Sequence, residues 1–324
     1  MYSSEHEKQV MALNNCSRVD EFILLGFPHT GGINIVLFAI ILGFYILTIA
    51  GNGLIIVIVR ADRQLQKPMY FFLSNLSCLG MGHTTATIPK MLVNLLSEKP
   101  TICFYCCMLQ LFNFFYFGVT EFFILTVLSF DRYLAICKPL RYTTIMTSNL
   151  CLQLAGGSWA AGFFCIISQV IMVATLPFCD SDTINHFFCD IGPLLQIASG
   201  DTQLIEALNF LVAMSVVLAS LLLTVISYVF IISTILRIPS TSGQKKAFST
   251  CTSHLTVVSI YYGAVLFIYL RPSVARSSFS LNKAVSLLNT VVVPMLNPFI
   301  YTIRNVEVKE ALRKVLRKKG TDVR

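Results

Sequence analysis

Six stretches of this chain carry no Asp, Glu, Lys or Arg: Ile33 to Val59, Pro68 to Pro89, Tyr142 to Cys179, Ala207 to Leu236, Ala247 to Leu270 and Ala284 to Ile303. Each reaches the roughly 20 residues that cross a bilayer core. Between the second and third, Ile102 to Phe130 is uncharged except for Glu121, which makes seven candidate spans. A backbone in lipid must satisfy its own hydrogen bonds, so only helices or closed barrels cross. No closed set of alternating strands of ~10 residues is present, so the spans are read as helices. Composition agrees: 55% of the 324 residues are hydrophobic and 12% charged, against roughly 25% charged in a soluble domain. The expected fold is an all-α membrane protein, a seven-transmembrane helix bundle.

Seven spans put the two ends of the chain on opposite sides of the membrane, and basic residues decide which is which. Seventeen of the 24 lysines and arginines fall on the side that holds Arg60, Arg132, Lys245 and the C-terminal run from Arg304. That side is expected to be cytoplasmic, with the N-terminus and the long loop from Leu176 to about Gln203 outside. The net charge of +8 is therefore a topology signal set in short gaps between apolar runs, and it does not indicate a nucleic-acid partner.

The residues from Met1 to Glu7 lack a basic flank followed by a short apolar core, so the first span is expected to direct insertion. Asn15-Cys16-Ser17 is a glycosylation sequon on the outer side, whereas Asn75-Leu76-Ser77 matches the same pattern inside a span. Asn15 is the expected acceptor. After the last span, Val308, Ala311, Leu312, Val315 and Leu316 share one face among Lys309, Arg313, Lys314, Arg317 and Lys318. This pattern predicts a short amphipathic C-terminal helix on the membrane surface. The chain thus divides into an extracellular segment (1–32), a seven-helix transmembrane core (33–304) and a cytoplasmic helix and tail (305–324).

Several strings occur in order along the chain. Leu24-Leu25-Gly26-Phe27 precedes the first span and Gly51-Asn52 lies in it. Lys67-Pro68-Met69-Tyr70-Phe71-Phe72-Leu73-Ser74-Asn75-Leu76-Ser77 opens the second. The third ends in Phe130-Asp131-Arg132-Tyr133-Leu134-Ala135-Ile136-Cys137-Lys138-Pro139-Leu140-Arg141-Tyr142, the sixth begins Lys246-Ala247-Phe248-Ser249-Thr250-Cys251-Thr252-Ser253-His254-Leu255, and the seventh holds Pro294-Met295-Leu296-Asn297-Pro298-Phe299-Ile300-Tyr301. Together they resemble the olfactory branch of the rhodopsin-like G protein-coupled receptors. The resemblance covers the chain from Glu21 to about Lys314.

That resemblance implies a plasma-membrane receptor that binds a small, mostly apolar volatile odorant and activates a stimulatory heterotrimeric G protein, raising cyclic AMP. It implies no enzyme activity and no cofactor. Asp131, Arg132 and Tyr133, with Tyr228, Asn297, Pro298 and Tyr301, take the switch and coupling roles. Asn297-Pro298 interrupts its helix and frees a carbonyl that Asn52 and nearby polar groups could satisfy. Ligand contacts are expected from Phe114, Phe115, Gly118, Val119, Val212, Val216, Tyr262, Val265, Leu266, Tyr269, Asn289 and Thr290. Phe114 stands where amine receptors place an aspartate, and Tyr262 where most nonolfactory members place tryptophan.

Glu121 is a carboxyl near mid-membrane, costing roughly 2.5–3.5 kcal/mol on an insertion scale. It is either a sodium contact or a protonated acid bonded to its neighbours. The family's second acid in the preceding span is Gly80 here, which weakens the sodium reading.

Among eleven cysteines, the resemblance implies a Cys107–Cys189 disulfide. A second family bond joins Cys179 to position 199, but Ser199 stands there. Cys103 and Cys106 are extra thiols, so Cys179 is read either as paired with one of them or as free. Cys78, Cys137, Cys151, Cys165 and Cys251 are expected to pack as small apolar groups. Two alternatives share parts of this pattern: a receptor of the same fold for a nonodorant small molecule, and a polytopic transporter, which would show internal repeats.

Overall fold

The computed structural model describes residues 19–26, 32–179, 181–269, 283, 285–304 and 306–321. Helices dominate: α1 (Gly32–Ala61), α2 (Pro68–Leu96), α3 (Phe104–Cys137), the short α4 (Pro139–Ile145), α5 (Ser148–Ala174), the short α6 (Ile191–Ile197), α7 (Gln203–Leu236), α8 (Thr241–Tyr269), α9 (Val293–Arg304) and α10 (Val306–Thr321). A π-helical turn, Leu288–Val292, leads into α9.

α1, α3, α5 and α7 are long and apolar enough to cross a membrane. Shorter apolar stretches, His254–Phe267 and Val285–Ile300, lie in α8 and the final helical region. Their outward faces are as apolar as their packed ones: Phe164 is 72% exposed, Ile35 66% and Leu211 63%. Water would expel such belts, whereas lipid accepts them.

Three helix boundaries differ from the charge-free stretches. α2 runs through Pro89 to Leu96, because a proline can sit in a long helix when neighbouring groups satisfy the freed carbonyl. Tyr142 belongs to α4 rather than to the span that follows: Pro139 sits in the first turn of that helix and Ser148 opens the next. α8 begins six residues before Ala247, at Thr241. Absence of charge marks a lipid-compatible stretch, while the helix continues until its backbone hydrogen bonds end.

The chain forms two compact units. The first contains described residues up to Leu42 with Ala86–Tyr116 and Phe164–Met214. In it a small sheet of order β2-β1-β3 unites β1 (Glu21–Leu24), β2 (Thr101–Cys103) and β3 (Thr183–Ile184). β1 pairs antiparallel with β2, Phe22 opposite Ile102, and parallel with β3, Leu24 opposite Ile184. Phe22 and Leu24 point into the core while Glu21 is exposed, the period-two alternation of a strand. Phe22 meets the ring of Phe178 edge-on at 5.2 Å. Two residues after β1 stands Gly26, whose φ of +45° favours glycine. This sheet lies outside the all-helical expectation, because strands of two to four residues are too short to register as a periodicity.

The same unit holds the cysteine chemistry. Cys107 and Cys189 are joined, and Gln110 fastens the joint by donating to Ala86 O at 3.0 Å and accepting from the Cys189 amide at 2.9 Å. Cys103 and Cys106 are joined to each other, so neither is the mate of Cys179, and Cys179 is itself disulfide-bonded rather than free. Both readings of Cys179 are thereby corrected. Cys103 ends β2 and Cys106 lies in the first turn of α3, with Cα atoms 5.1 Å apart, within the span a disulfide bridges. At Ser199, a hydrogen bond from the Cys179 amide to Oγ, 3.0 Å, stands in place of a covalent link. Cys78 is exposed, against the expectation that it packs inward.

The second unit comprises Gly43–Thr85, Phe117–Phe163 and Ser215–Arg324. Polar side chains link its helices: Trp159 Nε1 donates to Asn75 Oδ1 at 3.0 Å, and Ser129 and Thr224 are 3.3 Å apart. Such bonds hold helices where lipid supplies no hydrophobic drive between them. α10 buries Val308 and Ala311 and exposes Lys309, Arg313 and Lys314, the expected amphipathic arrangement. The side chains of Val315 and Leu316 lie outside the described residues.

Candidate functional site: a charged latch and a broken helix

The richest polar arrangement in the second unit closes the C-terminal end of α3. Asp131 is fully buried and Arg132 is 8% exposed. Charges so placed require partners. Asp131 Oδ2 accepts from Arg132 Nε at 3.0 Å and also from Arg132 Nη2, while Oδ1 accepts from the Tyr142 hydroxyl at 2.7 Å. Burial pushes the Tyr142 phenol well above its ordinary range and the Asp131 carboxylate adds to the shift, so the hydroxyl keeps its proton and remains the donor. α4 supplies this tyrosine, and Pro139 at its first turn suits a helix start. The arginine is folded against its own neighbour.

Next to the latch lies an apolar plug of Tyr228, Ile231, Ile235 and Cys251, with Tyr133 and Ile136 packed on it. Tyr228 reaches His254 Nδ1 at 2.8 Å, and His254 Nε2 reaches the Leu125 carbonyl at 3.2 Å. A carbonyl only accepts, so Nε2 carries the proton. In the neutral ring Nδ1 then accepts from the Tyr228 hydroxyl. α3, α7 and α8 are thereby tied by one imidazole.

The second feature is the interruption before and within α9. Pro298 has no amide to offer the carbonyl four residues back, Pro294. Asn52 Nδ2 donates to that carbonyl at 3.2 Å and to Thr48 O at 3.0 Å. The adjacent Gly51 accommodates the proline ring: a Cβ there would lie 2.9 Å from Pro298 Cγ, closer than side chains tolerate. Gly51-Asn52 in α1 and Asn297-Pro298 in α9 are therefore one device. Asn297 Nδ2 donates to the Tyr261 hydroxyl at 3.2 Å, extending it to α8. The π-helical turn places Asn289 and Thr290 immediately upstream, and such turns favour functional positions.

The remaining residues of interest fall in both units. In the first, Phe114 stacks obliquely on Phe188 at 4.6 Å and meets Phe115 edge-on, and Val212 is half-buried. In the second, Val216, Tyr262 and Thr290 are buried, and Gly118, Val119, Val265, Leu266 and Asn289 are half-buried. Tyr262 meets Phe122 at 5.1 Å, and its hydroxyl, though buried, has no hydrogen-bond partner. Tyr269 and Tyr301 belong to α8 and α9, but their side chains lie outside the described residues, as does the whole of Asn15. Sequence reasoning assigned no role to Phe122, Tyr142 or Tyr261. A proline- and serine-bounded segment after the Asp-Arg-Tyr string was the available signal for Tyr142.

Apolar helices with exposed apolar faces and a buried acid–arginine pair at one helix end are the marks of a polytopic membrane protein. A family model described as "Olfactory receptor" matches residues 41–319. The chain is 56% identical over 304 residues to Olfactory receptor 6X1 of Homo sapiens, covering 94% of this chain and 97% of that protein. It is 51% identical over 304 residues to Olfactory receptor 6F1 of Homo sapiens (94% and 98%), and 50% identical over 305 residues to Olfactory receptor 287 of Rattus norvegicus (94% and 98%). The chain belongs to the olfactory receptor family, whose members are multi-pass membrane receptors rather than enzymes. The resemblance read from the ordered strings is borne out.

Proposed function

We propose that this protein is an odorant receptor of the plasma membrane, with seven spans formed by α1, α2, α3, α5, α7, α8 and the helix ending in α9. The N-terminus lies outside and α10 lies on the cytoplasmic leaflet. A small, mostly apolar volatile molecule binds against residues that include Tyr262, Val265, Leu266 and Val216. Binding releases the opposite end of α8, and Arg132 leaves Asp131 to meet a stimulatory heterotrimeric G protein, raising cyclic AMP.

The observation that carries this reading is the latch. A buried guanidinium held by one carboxylate, itself held by Tyr142 from a separate helix, has a discrete alternative in which a partner takes its place. That is what a two-state element requires. The lining residues support the ligand class, being aromatic and aliphatic with few polar groups. The basic residues of α10 and of the gap after α1 suit an anionic leaflet.

Nucleotide exchange on added stimulatory G protein, measured in membranes across a volatile library, tests the whole scheme. Some volatile should accelerate exchange, and Arg132→Gln should abolish the response while surface expression persists. A receptor that responds only to involatile polar compounds would point to a nonodorant ligand. Substrate flux with no exchange would point to a transporter.

A further inference from the structure

Glu121 presents the least satisfied chemistry in the second unit. It is fully buried in α3, and neither carboxylate oxygen has a hydrogen-bond partner. The group that faces it is His83 of α2, with Nδ1 3.7 Å from Glu121 Oε2 and the two side chains 4% and 0% exposed. The imidazole lies against α3 one turn before Glu121, 3.9 Å from where a Cβ of Gly118 would stand. Gly80, one turn before His83, brings no second carboxylate.

A hard cation such as sodium needs several oxygen ligands. Here Glu121 offers two oxygens and is met by a ring nitrogen. No group of three His, Cys, Asp or Glu able to hold a metal ion occurs among the described residues. The residues do not fit a resident cation.

We propose that His83 and Glu121 pair with each other between α2 and α3 and take the place of a metal ion there. Removing either side chain takes this contact from a buried polar group. The consequence is a receptor whose stability owes nothing to sodium.

Thermal unfolding of the purified full-length protein, in NaCl and in choline chloride of equal ionic strength, tests this without any odorant. A resident cation stabilises by mass action and would raise the midpoint by several degrees in NaCl. The His83–Glu121 pair predicts coincident curves. Glu121→Gln and His83→Asn should each lower the midpoint, and the double variant should lie well above the sum of the two losses. Gly80→Asp combined with His83→Asn sets two carboxylates together without an imidazole and should acquire a sodium-dependent midpoint. Sodium stabilisation of the natural protein overturns the proposal even if no variant folds, and so do strictly additive losses. Because the readout is folding, either result leaves the receptor assignment standing.

Discussion

Tyr142 is the residue whose removal speaks most directly to the latch. Tyr142→Phe keeps the ring and deletes one hydrogen bond to a carboxylate, a contact worth about 1.5–3 kcal/mol. The Asp131–Arg132 pair survives, so the protein should fold and reach the surface. Since each 1.4 kcal/mol is roughly tenfold in an equilibrium, basal cyclic AMP should rise about tenfold or until the assay saturates. Unchanged basal signalling in a well-expressed variant would show that Tyr142 braces the end of α3 without biasing it. His254 gives a complementary case. His254→Phe preserves bulk but removes both the Tyr228 and Leu125 contacts, so it should lower the thermal midpoint through two unmatched buried groups. The string from Phe130 to Tyr142 was legible as a motif, yet the bond between its ends was not, because Tyr142 lies eleven residues from Asp131 on another helix.

At the scale of elements, α1 and α9 are joined by shape as well as by hydrogen bonding. Gly51→Ala drives a methyl into the Pro298 ring, and overpacking of this kind costs about 1–3 kcal/mol. If the ring is the obstacle, Gly51→Ala with Pro298→Ala should recover most of the lost midpoint. Losses that simply add would place the strain elsewhere. Asn52→Leu leaves the Pro294 carbonyl without a donor, an expected cost of about 1–3 kcal/mol. A proline in the last span announces a freed carbonyl from sequence alone. Which of the many polar side chains answers it is settled by the approach of two helices 242 positions apart in the chain.

The whole molecule adds a contact between the chain's C-terminal helix and the gap after α1. Lys67 Nζ and the Tyr70 hydroxyl both donate to Glu307, each at 2.8 Å. Burial alone would raise the Glu307 carboxyl, but these hydrogen bonds outweigh it and hold the group below its ordinary range. A depressed folded value means that the contact stabilises while Glu307 is ionised. It is complete at neutral pH and is lost as pH falls through that lowered value. The pair is about half exposed, 52% and 51%, so its worth is roughly 0–1 kcal/mol. Hydrogen exchange in α10, corrected for intrinsic rates, should quicken on acidification in the natural protein. In Glu307→Gln it should be fast throughout. Equal protection in the two at neutral pH would assign the docking to Val308 and Ala311 alone.

Solvent choice, helical class and family all followed from sequence, because each rests on quantities summed along the chain. Long charge-free runs admit no solvent but lipid, lipid admits no open backbone, and the ordered motifs name the family. The tertiary structure decided everything that depends on two distant residues meeting. It gave Asp131 its tyrosine and Pro294 its asparagine, turned Cys103 toward Cys106, and set His83 across from Glu121. Hydrogen bonds and charge pairs act over a few ångströms, and a one-dimensional order of residues carries no such distance.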